Sequence, residues 1–180
     1  MKKILVPLAE GCEEMEAVIL IDTLRRAQFE VVAAGLKAGP LTASRGVRLL
    51  PDTTFDQVQA LDFDAIALPG GNQGVQNLMA DERVLTAIRA LHGAGRWVCA
   101  VCAAPLVLQA AGVLEGRRVT CYPSAGEQLT VTRRLTDRVV VDGHLITSQG
   151  PGTSVAFALE IVRRLGGDEL AEQVAAGMVV

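Results

Sequence analysis

The chain has 180 residues, half of them hydrophobic, with 20 acidic against 17 basic side chains and a net charge of -3. That length suits one well-buried core, and the near-neutral balance argues against a nucleic-acid or membrane-surface protein. Aromatics make up only 3%, which argues against a base-stacking or carbohydrate platform.

The N-terminal MKKILVPLAEGCEEMEA (1–17) carries two lysines and an apolar run, but the run is too short for a signal-peptide core and acids follow at once. No later stretch is long and uninterrupted enough to span a bilayer. The expected compartment is the cytoplasm, where Cys12, Cys99, Cys102 and Cys121 stay reduced rather than forming a disulfide framework.

KKILVPL (2–8) is an apolar run of strand length, and 13–27 places Met15, Val18, Ile19, Ile21 and Leu24 at helical spacing. EVVAAGL (30–36) reads as a second strand and FDAIALPGG (63–71) as a third, ending in a glycine pair. A helix over 81–95 closes on glycine, and a fourth strand, RWVCAV (96–101), leads into a helix over 104–114. RRVTCY (117–122) reads as a fifth strand. Residues 137–149 read as a hairpin turning at Asp142-Gly143, and helices over 153–167 and 168–177 end the chain. Strands that are apolar throughout, separated by amphipathic helices, imply a mostly parallel central sheet with helices on both faces. The expected fold is a doubly wound α/β sandwich, with one domain over 1–180 as the simplest account. In such sheets ligands bind beyond the carboxyl ends of the strands.

Four strand ends carry residues of chemical interest. VCAVCAAP (98–105) places a cysteine at the end of a strand, followed by small residues and a proline. That pattern matches a nucleophile elbow, where the next helix's N–H groups would favour a thiolate and hold an oxyanion. Free cysteine is also among the most buried residues, so the octet alone leaves Cys102 open between nucleophile and structural filler. Cys99 completes a C-x-x-C, but it lies within the strand beside core valines and reads as packing. Gly70-Gly71 could bring backbone N–H groups to a bound oxyanion, or simply turn the chain. GGNQG lacks the dinucleotide-loop spacing, and no phosphate-binding G-K-[ST] is present. Glu13 and Glu14 fit the dipole at a helix start. Glu16, one turn in and beside apolar positions, is expected to be partly buried with a raised pKa. His92 and His144 occupy no strand end beside Cys102, so a Cys-His triad is not supported. The cysteines lack the paired spacing of zinc ligands, and no metal site is expected.

EEMEAV (13–18), SRGV (44–47), LPGGN (68–72), VCAAP (101–105) and SQGPGTS (148–154) stand in an order that resembles the ThiJ/PfpI superfamily. The similarity runs over the whole chain and points to the branch of the Parkinsonism-associated deglycase and YajL. The resemblance implies a flavodoxin-like sandwich, related to class I glutamine amidotransferases, that works as a cytoplasmic homodimer. It implies that Cys102 is the reactive thiol on a strained elbow and that Glu16 is its protonated partner. It further implies that the backbone of Gly70, Gly71 and Ala103 lines the anion pocket, with Tyr122 and Arg45 around it. The implied chemistry is a cofactor-independent glyoxalase or deglycase reaction on methylglyoxal, related α-oxoaldehydes, or glycated thiols and amines. The alternative it implies is a redox-sensing stress protein or chaperone whose cysteine oxidises to sulfinic acid, with little turnover. No membrane partner is implied, and nucleic acid enters only as a glycated substrate. Ser44-Arg45-Gly46 and the first helix are candidate dimer contacts on the same ground. Two positions depart from relatives. Protease-like members carry Cys-His at the elbow, where this chain has Ala103, which argues against a peptidase. Several closer relatives carry a histidine where this chain has Tyr122, which leaves proton transfer mainly to Glu16. Cys12 and Cys121, near strand ends, are read as passive neighbours or resolving thiols.

Overall fold

Alternate residues of the inner strands enter two different apolar clusters, and that alternation explains why the strands are apolar throughout. A computed structural model describes residues 1–180. The elements run β1 (Lys3–Leu8), α1 (Glu14–Arg26), β2 (Glu30–Gly35), β3 (Leu41–Thr42), β4 (Arg48–Leu49), β5 (Thr53–Thr54) and β6 (Ala65–Leu68). Then come α2 (Asn72–Ala80), α3 (Glu82–Gly93), β7 (Trp97–Val101), α4 (Pro105–Ala110), β8 (Val119–Thr120), α5 (Pro123–Gly126) and β9 (Arg134–Leu135). β10 (Val139–Asp142), β11 (Leu145–Ser148), α6 (Ser154–Gly166) and α7 (Asp168–Gly177) complete the chain. The central sheet has the order β10-β11-β7-β6-β1-β2-β5. All its pairings are parallel except the β10–β11 hairpin at one edge. Leu5, Ile66, Leu68, Val98 and Ala100 pack with Val75, Leu78, Ile88 and Leu91 of α2 and α3. Ile4, Val6, Ala65, Cys99, Val101 and Ile146 pack with Leu20 and Leu24 of α1 and Phe157, Ile161 and Val162 of α6. Helices therefore cover both faces, as expected of a doubly wound α/β sandwich. No helix is long and apolar enough to cross a membrane.

Three segments differ from the sequence expectation. The glycine pair is followed at once by α2, a helix whose polar NQGVQN opening hides its apolar face of Val75 and Leu78. The strand expected over 117–122 shortens to Val119–Thr120 and pairs with β9, outside the central sheet. Its Thr120 N–H is taken by the Thr147 hydroxyl (2.9 Å) rather than by a ladder carbonyl, and Pro123 ends the extension. The helix expected over 104–114 stops at Ala110, because Val113 N–H bonds the Leu108 carbonyl (3.1 Å) and Gly112 N–H that of Gln109 (2.9 Å). Those paired bonds form the Schellman closure.

Candidate active site around Cys102

Cys102 follows the last residue of β7 and has φ = +63°. A non-glycine residue in that left-handed region costs on the order of 1–3 kcal/mol, so the surroundings must hold it there. They do so from both sides. The Cys102 N–H donates to the Ser148 carbonyl (3.0 Å), and its own carbonyl accepts from Tyr122 N–H (2.8 Å). The backbone at Cys102 thus has the strained turn that the resemblance implies.

Gly70 and Gly71 follow β6, the neighbour of β7, and close the site for steric reasons. A Cβ on Gly70 would lie 2.6 Å from Cys102 Cβ, 2.7 Å from Glu16 Oε2 and 3.1 Å from Cys102 Sγ. Gly71 has φ = +91°, and a Cβ there would meet the Gly11 carbonyl oxygen at 2.5 Å. The N–H groups of Gly71 and Ala103 lie against the Cys102 sulfur and pull its pKa down.

Glu16 reaches the same point from α1. Glu13 caps this helix by accepting from Glu16 N–H (2.7 Å), which turns the Glu16 side chain inward. Glu16 is fully buried. Its Oε2 accepts from Gly70 N–H (2.7 Å), while Oε1 is buried without a partner beyond the neighbouring thiol. Burial pushes this carboxyl up to about 7, against the lowering effects of the Gly70 and Cys102 hydrogen bonds. The expectation of a raised pKa is met, with burial complete rather than partial.

The helix N–H groups expected to favour a thiolate are outweighed here. Cys102 is 9% exposed. Burial, then the Glu16 charge and its hydrogen bond, push the thiol up to about 12. Sulfur and carboxyl therefore act as one pair. When the pair holds a single proton, that proton sits on the sulfur or on Glu16, and only the second arrangement leaves a thiolate.

Cys102 lines a cavity of about 770 Å³ together with Glu10, Glu13, Arg45, Gly71 and Tyr122. Arg45 and Tyr122 are exposed on its rim. The hairpin loop carrying Arg45 is tied down by Glu14, which accepts from Ser44 Oγ (2.8 Å) and Arg45 N–H (2.7 Å). Burial would raise the Glu14 pKa, but these bonds and that to its own N–H hold it below the usual carboxylate range. Glu14 is therefore more than a dipole partner. Its contact spans thirty residues of sequence, and no local signal could have announced it. Cys12, Cys99 and Cys121 are wholly buried. His144 precedes β11 at the opposite end of the sheet, edge-on to Trp97 at 5.1 Å. No group of three His, Cys, Asp or Glu side chains is placed to hold a metal.

The sequence model of the DJ-1/PfpI family matches residues 2–164. The chain is 44% identical over 182 residues to Protein dj-1beta of Drosophila melanogaster, covering 99% of this chain and 97% of that one. It is 36% identical to the glutathione-independent glyoxalase DJR-1.2 of Caenorhabditis elegans, over 92% of this chain and 89% of that one. Among solved structures, oxidized Toxoplasma gondii DJ-1 superposes with a TM-score of 0.95 at 35% identity, covering 99% of this chain and 98% of that one.

Proposed function

Because the chain belongs to the DJ-1/PfpI family, we propose that it is a cofactor-independent, cysteine-dependent glyoxalase that also takes early glycation adducts, acting as a homodimer. The observation that carries the reading is the pairing of a thiol on a strained turn with a fully buried carboxyl, one of whose oxygens is fixed by Gly70 N–H. The glyoxalase name of the Caenorhabditis elegans relative supports it.

With the pair's proton on Glu16, the Cys102 thiolate attacks the aldehyde carbon of methylglyoxal. The N–H groups of Gly71 and Ala103 hold the developing oxyanion, and the pair's proton completes a hemithioacetal. The Glu16 carboxylate then removes the hydrogen from that carbon as a proton and returns it to the adjacent carbonyl carbon. One carbon is oxidised and its neighbour reduced, so no external redox partner is needed. Water cleaves the resulting thioester, releasing lactate and the free thiol. Overall, methylglyoxal and one water become lactic acid. Lactate formation should fall to background in Cys102→Ser, and equal rates in wild type and variant would remove Cys102 from the mechanism.

One observation favours a second reading. Cys102 is the only cysteine lining the cavity, the other three being wholly buried. Two equivalents of peroxide would convert its thiol to sulfinic acid with release of two waters, and Glu16 could hydrogen-bond the product. Intact mass after graded peroxide tests it. Oxidation at the other cysteines with Cys102 untouched would exclude it.

A further inference from the structure

The segment SQGPGTS (148–154) joins the end of β11 to the start of α6 beside the Cys102 turn. Thr153 stands just before α6, where a threonine ordinarily caps the helix, yet its side chain makes no such bond. It turns back instead. Its hydroxyl accepts from Gly150 N–H (3.0 Å) and lies 2.7 Å from the Ser148 hydroxyl and 2.9 Å from the Gly150 carbonyl. Ser148 Oγ donates to the Arg138 carbonyl (2.7 Å), and Ser154 Oγ donates to the Gly150 carbonyl (3.1 Å). Each hydroxyl has one hydrogen. Ser148 directs its own at Arg138, so it accepts from Thr153, and the Gly150 carbonyl is left to Ser154. The result is one directed chain, from Gly150 N–H to Thr153, from Thr153 to Ser148, and from Ser148 to Arg138. Ser148 and Ser154 are fully buried, so a broken link there leaves a polar group without a partner.

The chain connects the two supports of the strained turn. Cys102 is held by its N–H bond to the Ser148 carbonyl (3.0 Å) and by the Tyr122 N–H bond to its own carbonyl (2.8 Å). Ser148 is itself a link in the hydroxyl chain. Tyr122 meets the chain at Gly150, where an added Cβ would lie 3.3 Å from Tyr122 Cδ2. Arg138 closes the segment from the other side by donating to the Gly152 carbonyl (3.0 Å). Thr153 bonds to both Ser148 and Gly150, yet it does not line the cavity that holds Cys102.

We infer that Thr153 is a positioning residue for Cys102: its hydroxyl locks together the Ser148 and Tyr122 supports and so keeps the sulfur against Glu16. Its effect on turnover rests on the glyoxalase reading of the site. Its effect on the sulfur does not.

Thr153→Val removes both hydroxyl bonds at nearly constant shape, and Thr153→Ser keeps both. Alkylation of Cys102 by iodoacetamide, followed by intact mass, reads the sulfur directly. In the wild type its rate should rise with pH through about 7, the value to which burial raises Glu16. In Thr153→Val the rise should move toward the 9.0 of an ordinary thiol, because the sulfur leaves Glu16. The kcat for lactate formation should fall about tenfold or more while KM stays within about twofold, the pattern of a misplaced reacting group. Thr153→Ser should restore both readouts. Ser148→Ala breaks the chain at the next link and should move the alkylation profile the same way. The double variant should be no slower than the slower single one, because both changes break one chain. A wild-type alkylation profile in Thr153→Val, even with lowered thermal stability, would make the hydroxyl merely structural and overturn the inference. Thr153→Ser as impaired as Thr153→Val would also overturn it, as would losses that multiply in the double variant. Should Thr153→Val fail to fold, the Ser148→Ala profile decides between the same two outcomes. Absence of lactate formation in the wild type would instead count against the glyoxalase reading, leaving the alkylation profiles to judge Thr153.

Discussion

The chemistry of single residues turns on how many protons Cys102 and Glu16 hold together. At acid pH both are protonated and no thiolate can form. The first proton leaves as pH passes about 7, the value to which burial raises Glu16. The reactive tautomer belongs to the one-proton state, so the rate of Cys102 alkylation and kcat/KM should both rise with pH through about 7. Glu16→Gln removes the titrating carboxyl, and the step at 7 should vanish from the alkylation profile. A step that survives in the variant would assign it to another group. The same shift links pH to stability. Glu16 titrates near 4.5 when unperturbed and near 7 in the folded chain. Between those values the native state keeps a proton that the unfolded chain has lost, so unfolding free energy falls as pH rises. The whole change is about 3 kcal/mol. Its full benefit is present below about 4.5 and is lost as pH passes 7. Urea titrations at pH 5 and pH 8 should show this decline in wild type and not in Glu16→Gln, and parallel changes in both proteins would refute it.

At the scale of elements, the site is a junction of β6, β7 and α1 with no spare volume. Gly70→Ala would drive a methyl group into Cys102 and Glu16, the closest contact being 2.6 Å. Overpacking of this kind costs roughly 1–3 kcal/mol. A displacement near 1 Å at a reacting group can cost about a hundredfold in rate. Thermal unfolding and lactate formation should both register the change, and wild-type values for each would mean that the junction yields more easily than its contacts imply. The residues meeting here were legible in the sequence because chemistry-bearing side chains follow strands at short range: Cys102 after β7, Gly70-Gly71 after β6, and Glu16 one turn into α1. What escaped reading depends on distant partners. α2 opens with amides and a glycine, which dilute its apolar period. β8 leaves the central sheet because a side-chain hydroxyl on β11 takes the Thr120 N–H. Glu14 looks like any acid at a helix start until the hairpin loop folds back onto it. The thiol's raised pKa escaped for the same reason, since burial is a property of the assembled layers and not of the octet around Cys102.

The whole molecule presents one more consequence of these contacts. α1 buries Ala17, Leu20 and Leu24 against the sheet, yet it leaves Met15 and Val18 about half exposed on its outer side. These residues are three apart and share a helix face. Glu14 holds the loop containing half-exposed Val47 to the same helix. Such a surface gains stability when it is covered, and a second copy of the chain supplies an identical face through a two-fold axis. Light scattering should therefore give the native protein about twice the 19.0 kDa chain mass. The double variant Met15→Glu, Val18→Glu should give the single-chain mass, because four like charges would meet across the axis. Met15 and Arg45 also line the cavity that holds Cys102. Separation of the copies should then lower turnover as well as mass, since it opens that rim to water and frees the loop. A monomeric double variant with full lactate formation would confine the interface to assembly, and a native protein that runs as a monomer would remove the dimer from the proposal altogether.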